Sequence, residues 1–169
     1  LMQLLLHSGK NGIARDQLER ILFEDRDIQD LHHAMRSVIY NAKKKLKNAG
    51  LPDVNYIEQK KGIYYWTGAV PVIEDAAELD RLYLAAEAEE DPQTKLKRYI
   101  EAVHCYTGEF LGLQAGTVWV AQEARRYRGI FCMCVEKAAE LLRKKQDYLT
   151  MERLGLYAAR INPLADWET

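Results

Sequence analysis

Between Ile28 and Leu46, apolar side chains recur at Ile28, Leu31, Met35, Val38, Ile39, Ala42 and Leu46. At about 100° per residue they fall within an arc of about 100°, which predicts a half-buried helix over 28–49. A second arc, roughly opposite, carries Arg36, Tyr40, Lys43, Lys44 and Lys47, with His33 and Ser37 beside it. Lys45 points toward the edge of the apolar stripe. Gly50-Leu51-Pro52-Asp53 ends the pattern, because glycine suits the left-handed position after a helix and proline cannot continue one. Upstream, residues 1–8 read as the end of a helix stopped by Ser8-Gly9. A second helix over 15–23 turns Leu18, Ile21 and Leu22 inward.

The period then changes. Val54–Glu58 and Ile63–Thr67 are rich in β-branched and aromatic residues, and Gln59-Lys60-Lys61-Gly62 joins them into a hairpin with a basic tip. Gly68 to Pro71 reads as a connector, dividing a domain 1–68 from a domain 69–169. The second is helical, with helices over 75–89, 92–106, 117–145 and 147–161. The fold class expected is therefore mostly α, with one small β-hairpin.

Charge sharpens the picture. The formal total is −1, yet residues 33–66 hold seven Lys and Arg against only Asp53 and Glu58. That segment carries +5 and leaves −6 for the rest, which points to a local contact with an anion. The apolar runs are too short and too often charged to span a bilayer, and no secretory signal is visible. Three cysteines without framework spacing fit a reducing cytoplasm. The chain begins inside an apolar helical pattern, so further sequence is expected upstream.

Few residues suggest catalysis. His32 and His33 diverge by about 100° on a helix and have no second ligand pair, and Cys132 and Cys134 diverge further. Gly9-Lys10-Asn11-Gly12 follows a helix and lacks the upstream glycine of a phosphate loop. No nucleophile elbow, zinc-protease helix or paired-carboxylate motif stands out, so neither an enzyme nor a cofactor is expected. Trp119, Tyr127, Phe131, Tyr148 and Tyr157 recur at helical spacing, as core or as the lining of a peptide groove. The basic arc of helix 28–49 also has two readings. It is a solvated face whose lysines the helix dipole favours, or a surface for a duplex, with Arg36 and Asn41 at base edges and lysines on phosphates.

Several motifs carry a resemblance. Residues 130–163 span 34 positions with a turn at Lys145–Tyr148 and a terminal proline, which resembles a tetratricopeptide (TPR) unit; 75–107 looks like a more divergent one. "AMRSVIYNAKKKL" looks like the recognition helix, and "YIEQKKGIYYW" the C-terminal wing, of a response-regulator-type winged helix. "AVHCYTGEFL", Trp119 with Glu123 and Arg125, and "KKQDYLTMERLGLYAARINPL" resemble the bacterial transcriptional activation domain. Their order resembles SARP-type bacterial transcription regulators over nearly the whole chain.

The resemblance implies a winged helix-turn-helix followed by a TPR-like helical domain, acting as a transcriptional activator. Arg36, Ser37, Tyr40 and Asn41 would face bases in promoter DNA. Lys43, Lys44 and Lys47, with Lys60 and Lys61 of the wing, would hold phosphates. The helical domain would contact RNA polymerase or a second protomer. The alternative is a TPR-type interaction scaffold whose winged helix does not bind DNA.

Departures from the family pattern are local. Ala14 replaces the usual Ser or Thr N-cap, at a cost of about 1 kcal/mol. Ile63 stands where a second wing glycine is common. The small N-terminal sheet is absent, and family members continue with another helical pair beyond Thr169.

Overall fold

The computed structural model describes residues 1–23 and 28–163. Two compact units divide the chain, Leu1–Glu74 and Asp75–Thr169. The segment from Gly68 to Glu74 thus belongs to the first unit, where His7 Nδ1 lies 2.8 Å from Glu74 Oε1.

The first unit runs α1 (Met2–His7), β1 (Ile13–Ala14), α2 (Arg15–Phe23), α3 (Leu31–Asn48), β2 (Ile57–Lys60) and β3 (Ile63–Trp66). The strands form one antiparallel sheet in the order β1-β3-β2. Leu5, Leu18, Met35, Tyr56, Ile57 and Tyr64 are buried in this unit. Placement of α2 agrees with the sequence expectation, although Leu18 is buried while Ile21 and Leu22 are only partly so.

Three details depart from expectation, each for a physical reason. Helix α3 begins at Leu31 rather than 28, because the Asp30 carboxylate accepts a hydrogen bond from His33 N–H at 2.9 Å and caps the helix there. Ile28 therefore precedes the helix and Leu31 is exposed, while Met35 is buried and Val38, Ile39, Ala42 and Leu46 are partly buried. Strand β2 starts three residues later than expected and includes Lys60, since pairing runs from Ile57 opposite Trp66 to Lys60 opposite Ile63. A third strand, β1, was not expected; it pairs Ile13 with Tyr64 and Ala14 with Ile63.

Gly12 makes that pairing possible. Its φ is 63°, and a Cβ there would sit 2.6 Å from the carbonyl oxygen of Tyr64 and from the ring of Tyr65. Only glycine lets the chain approach β3 so closely.

The second unit comprises α4 (Asp75–Glu87), α5 (Pro92–Cys105), α6 (Val118–Lys144) and α7 (Tyr148–Ile161). Asp91 and Asp147 cap α5 and α7 by accepting from the amides of Thr94 and Thr150. Arg98 donates to the Ala85 carbonyl, and Cys105 lies against that of Asp75, so α4 and α5 run antiparallel. Asn162 approaches Cys132 in the same sense across α6 and α7. Arg126–Asp80 and Lys137–Glu87 ion pairs join α6 to α4 in parallel. Leu79, Tyr99, Val103, Phe131, Cys134 and Leu142 form the centre of the core.

The aromatic residues divide accordingly. Tyr127 and Phe131 are buried, Trp119 and Tyr157 partly so, and Tyr148 is exposed. Burial pushes the Cys134 thiol up to about 12.

Candidate nucleic-acid interface

Capping at both ends fixes the register of α3. Asp30 holds the first turn, and at the other end Gly50, with φ 85°, lets the Gly50 amide reach the Lys47 carbonyl and the Leu51 amide that of Leu46. Met35 anchors the inner face, so residues offset by about half a turn point outward.

Five of these outward residues, His33, Arg36, Ser37, Tyr40 and Asn41, line one shallow, open hollow. Tyr40 is 67% exposed. The lining contains hydroxyls, an amide, an imidazole and a guanidinium, and no carboxylate. Arg36 has no acidic group within ion-pair distance among the described residues. Arg36, Ser37, Tyr40 and Asn41 are the residues expected to face bases, and the structure brings them together. His33 had no assigned role in the sequence; its place in the hollow follows from the helical offset of three to Arg36.

The lysines follow toward the C-terminus and are not equivalent. Lys43 Nζ donates to Asn55 Oδ1 at 2.8 Å, and Lys47 Nζ to Asp53 Oδ2 at 2.6 Å. That bond holds the Asp53 carboxyl below its ordinary range and raises the Lys47 ammonium. Tyr56 holds the loop carrying these partners, donating its hydroxyl to the Pro52 carbonyl at 2.5 Å. Lys44 has no acidic partner among the described residues. The roles of Asp53 and Asn55 were not read from sequence, although Pro52 turning the chain directly after the helix is the signal that could have found them.

On the hairpin, Lys60 lies in β2 and pairs with Glu58 at 3.0 Å. Lys61 occupies the turn with φ 50°, followed by Gly62 with φ 79°. Positive φ at both central residues is what a two-residue type I′ turn requires. Neither lysine lines the hollow on α3.

Among the described residues no group of three His, Cys, Asp or Glu is placed to hold a metal ion. No helix among the described residues is long and apolar enough to cross a membrane. Compared with models of protein families, with curated proteins and with solved structures, the chain matches none of them.

Proposed function

We propose that this chain is a DNA-binding transcription regulator of the SARP type, working in the cytoplasm. In this reading the first unit is a winged helix whose α3 enters the major groove. Arg36, Ser37, Tyr40 and Asn41 face base edges, while Lys43, Lys44, Lys47, Lys60 and Lys61 meet phosphates. The helical unit acts as a TPR-like module that contacts another protein, either RNA polymerase or a second protomer.

One observation carries this reading. The exposed face of α3 collects donors and an aromatic ring without a carboxylate, and Lys44, with no acidic partner among the described residues, lies one turn beyond. A merely solvated helix face more often interleaves both signs of charge. The order β1-β3-β2, with a tight turn between β2 and β3, supports the wing.

The test is fluorescence-anisotropy binding of a generic duplex across a salt series, comparing the chain with an Arg36/Lys43/Lys44→Glu variant. Log affinity should fall with log salt at a slope of about −0.9 per phosphate contact. The variant should bind more weakly with a shallower slope. Equal, salt-insensitive binding by both would sink the proposal.

The scaffold reading is favoured by different observations. Lys43, Lys47 and Lys60 already have partners, and the helical unit exposes Leu84, Leu149 and Leu156. On that reading Lys43/Lys44→Glu leaves function intact, whereas changes on the helical unit abolish it.

A further inference from the structure

The hollow on α3 has a chemical bias that goes further than binding a duplex. Its polar lining comes from the Arg36 guanidinium, the Asn41 amide, the Ser37 and Tyr40 hydroxyls and the His33 ring. A guanidinium has five N–H donors and no acceptor, and it presents them as a rigid fork. The amide and the hydroxyls can each donate as well. No carboxylate in the lining can accept from an amino group of cytosine or adenine.

In the major groove, guanine is the base that presents two acceptors, N7 and O6, at the spacing of such a fork. Thymine offers one acceptor and a methyl group, and adenine pairs its acceptor with a donor. Arg36 is exposed, and no acid among the described residues occupies its fork. Its four-residue offset from Tyr40 places an aromatic ring on the same helical face. The lysines beyond the hollow are point charges without the rigid fork, and they lie outside its lining.

We infer that Arg36 is the specificity-determining residue of this surface and that it selects guanine in the duplex, an inference that rests on the DNA reading above. Lys44 and the other lysines then contribute affinity without sequence preference. Asn41 can donate and accept, so it can accommodate a neighbouring adenine.

The experiment is enrichment from a random-core duplex pool by the full chain, followed by anisotropy on the enriched duplex. Each guanine is replaced in turn by 7-deazaguanine, which removes the N7 acceptor and leaves base pairing intact. One replacement should weaken binding by about tenfold, within the range of a single bidentate contact. Arg36→Met, which removes every donor of the side chain, should lose the 7-deazaguanine effect, whereas Lys44→Met should bind more weakly and keep it. Enriched duplexes that share no guanine overturn the inference, as does guanine sensitivity that persists in Arg36→Met. If the pool is retained in a salt-dependent way without base preference, only this inference falls. If the pool is not retained at low salt, the DNA reading falls with it.

Discussion

Asp53 Oδ2 accepts a hydrogen bond from Lys47 Nζ at 2.6 Å, so the last lysine of α3 faces a carboxylate before it can face a phosphate. Both side chains are largely exposed, so the pair adds little to stability, but it places a negative charge beside the basic face. On the proposed DNA reading, Asp53→Asn should tighten duplex binding at low salt by about a few-fold, through both release of Lys47 and loss of repulsion. Anisotropy titrations of the two proteins decide this. Weaker binding by the variant would mean that Asp53 aims Lys47 at the duplex.

On the proposed DNA reading, Lys61 sets stability against contact. A lysine with φ 50° is strained at a turn position where asparagine is accommodated more readily. Lys61→Asn should stabilise the first unit by about 0.5–1 kcal/mol while weakening duplex binding. Urea unfolding followed at Trp66, together with anisotropy, reads both. Unchanged binding would remove the hairpin tip from the interface.

Gly12→Ala should damage the first unit alone. The added methyl meets the Tyr64 carbonyl and the Tyr65 ring, and φ of 63° disfavours any side chain. A loss of about 1–3 kcal/mol is expected. Amide hydrogen exchange should accelerate across β3 and leave the buried stretch of α6 unaltered. Equal protection in β3 would show that the sheet adapts at little cost.

The helical unit should weaken in alkali. Burial raises the Cys134 thiol from 9.0 to about 12, and burial, then the Glu87 bond, raises the Tyr99 hydroxyl. The native state therefore favours the protonated forms. This stability is complete below the unfolded thiol value near 9.0 and declines as pH rises toward 12. Urea unfolding at pH about 7, 9 and 10.5 should show the decline, and Cys134→Ala should make it shallower. A variant with the parent's slope would assign the effect to the tyrosines.

What the sequence made legible was set by periodicity. Arg15–Phe23 and the five later helices are long enough to show a stripe, and glycine or proline marks several of their ends. The start of α3 was misplaced because Ile28 extends the apolar pattern beyond the Asp30 cap, and a side-chain cap overrides a stripe. Strand β1 has two residues, too few for any alternation, and is defined by its partner in β3. At the candidate site, the shared face of Arg36, Tyr40 and Asn41 follows from helical geometry alone. The pairs made by Lys43 and Lys47 depend on how the loop after Pro52 folds back, which no local pattern encodes.

The short strand β1 also matters for how the chain behaves in a crowded solution. It covers β3 at Ile63 and Tyr64, while β2, the sheet's longer margin, carries Glu58 and Lys60, a charged pair. Charged side chains along an open strand discourage another chain from adding to it. With β1 detached, β3 would open the uncharged pair Ile63 and Tyr64, at the head of a largely aromatic strand, to any neighbouring strand. Two residues thus act as a guard against self-association, a task out of proportion to their length.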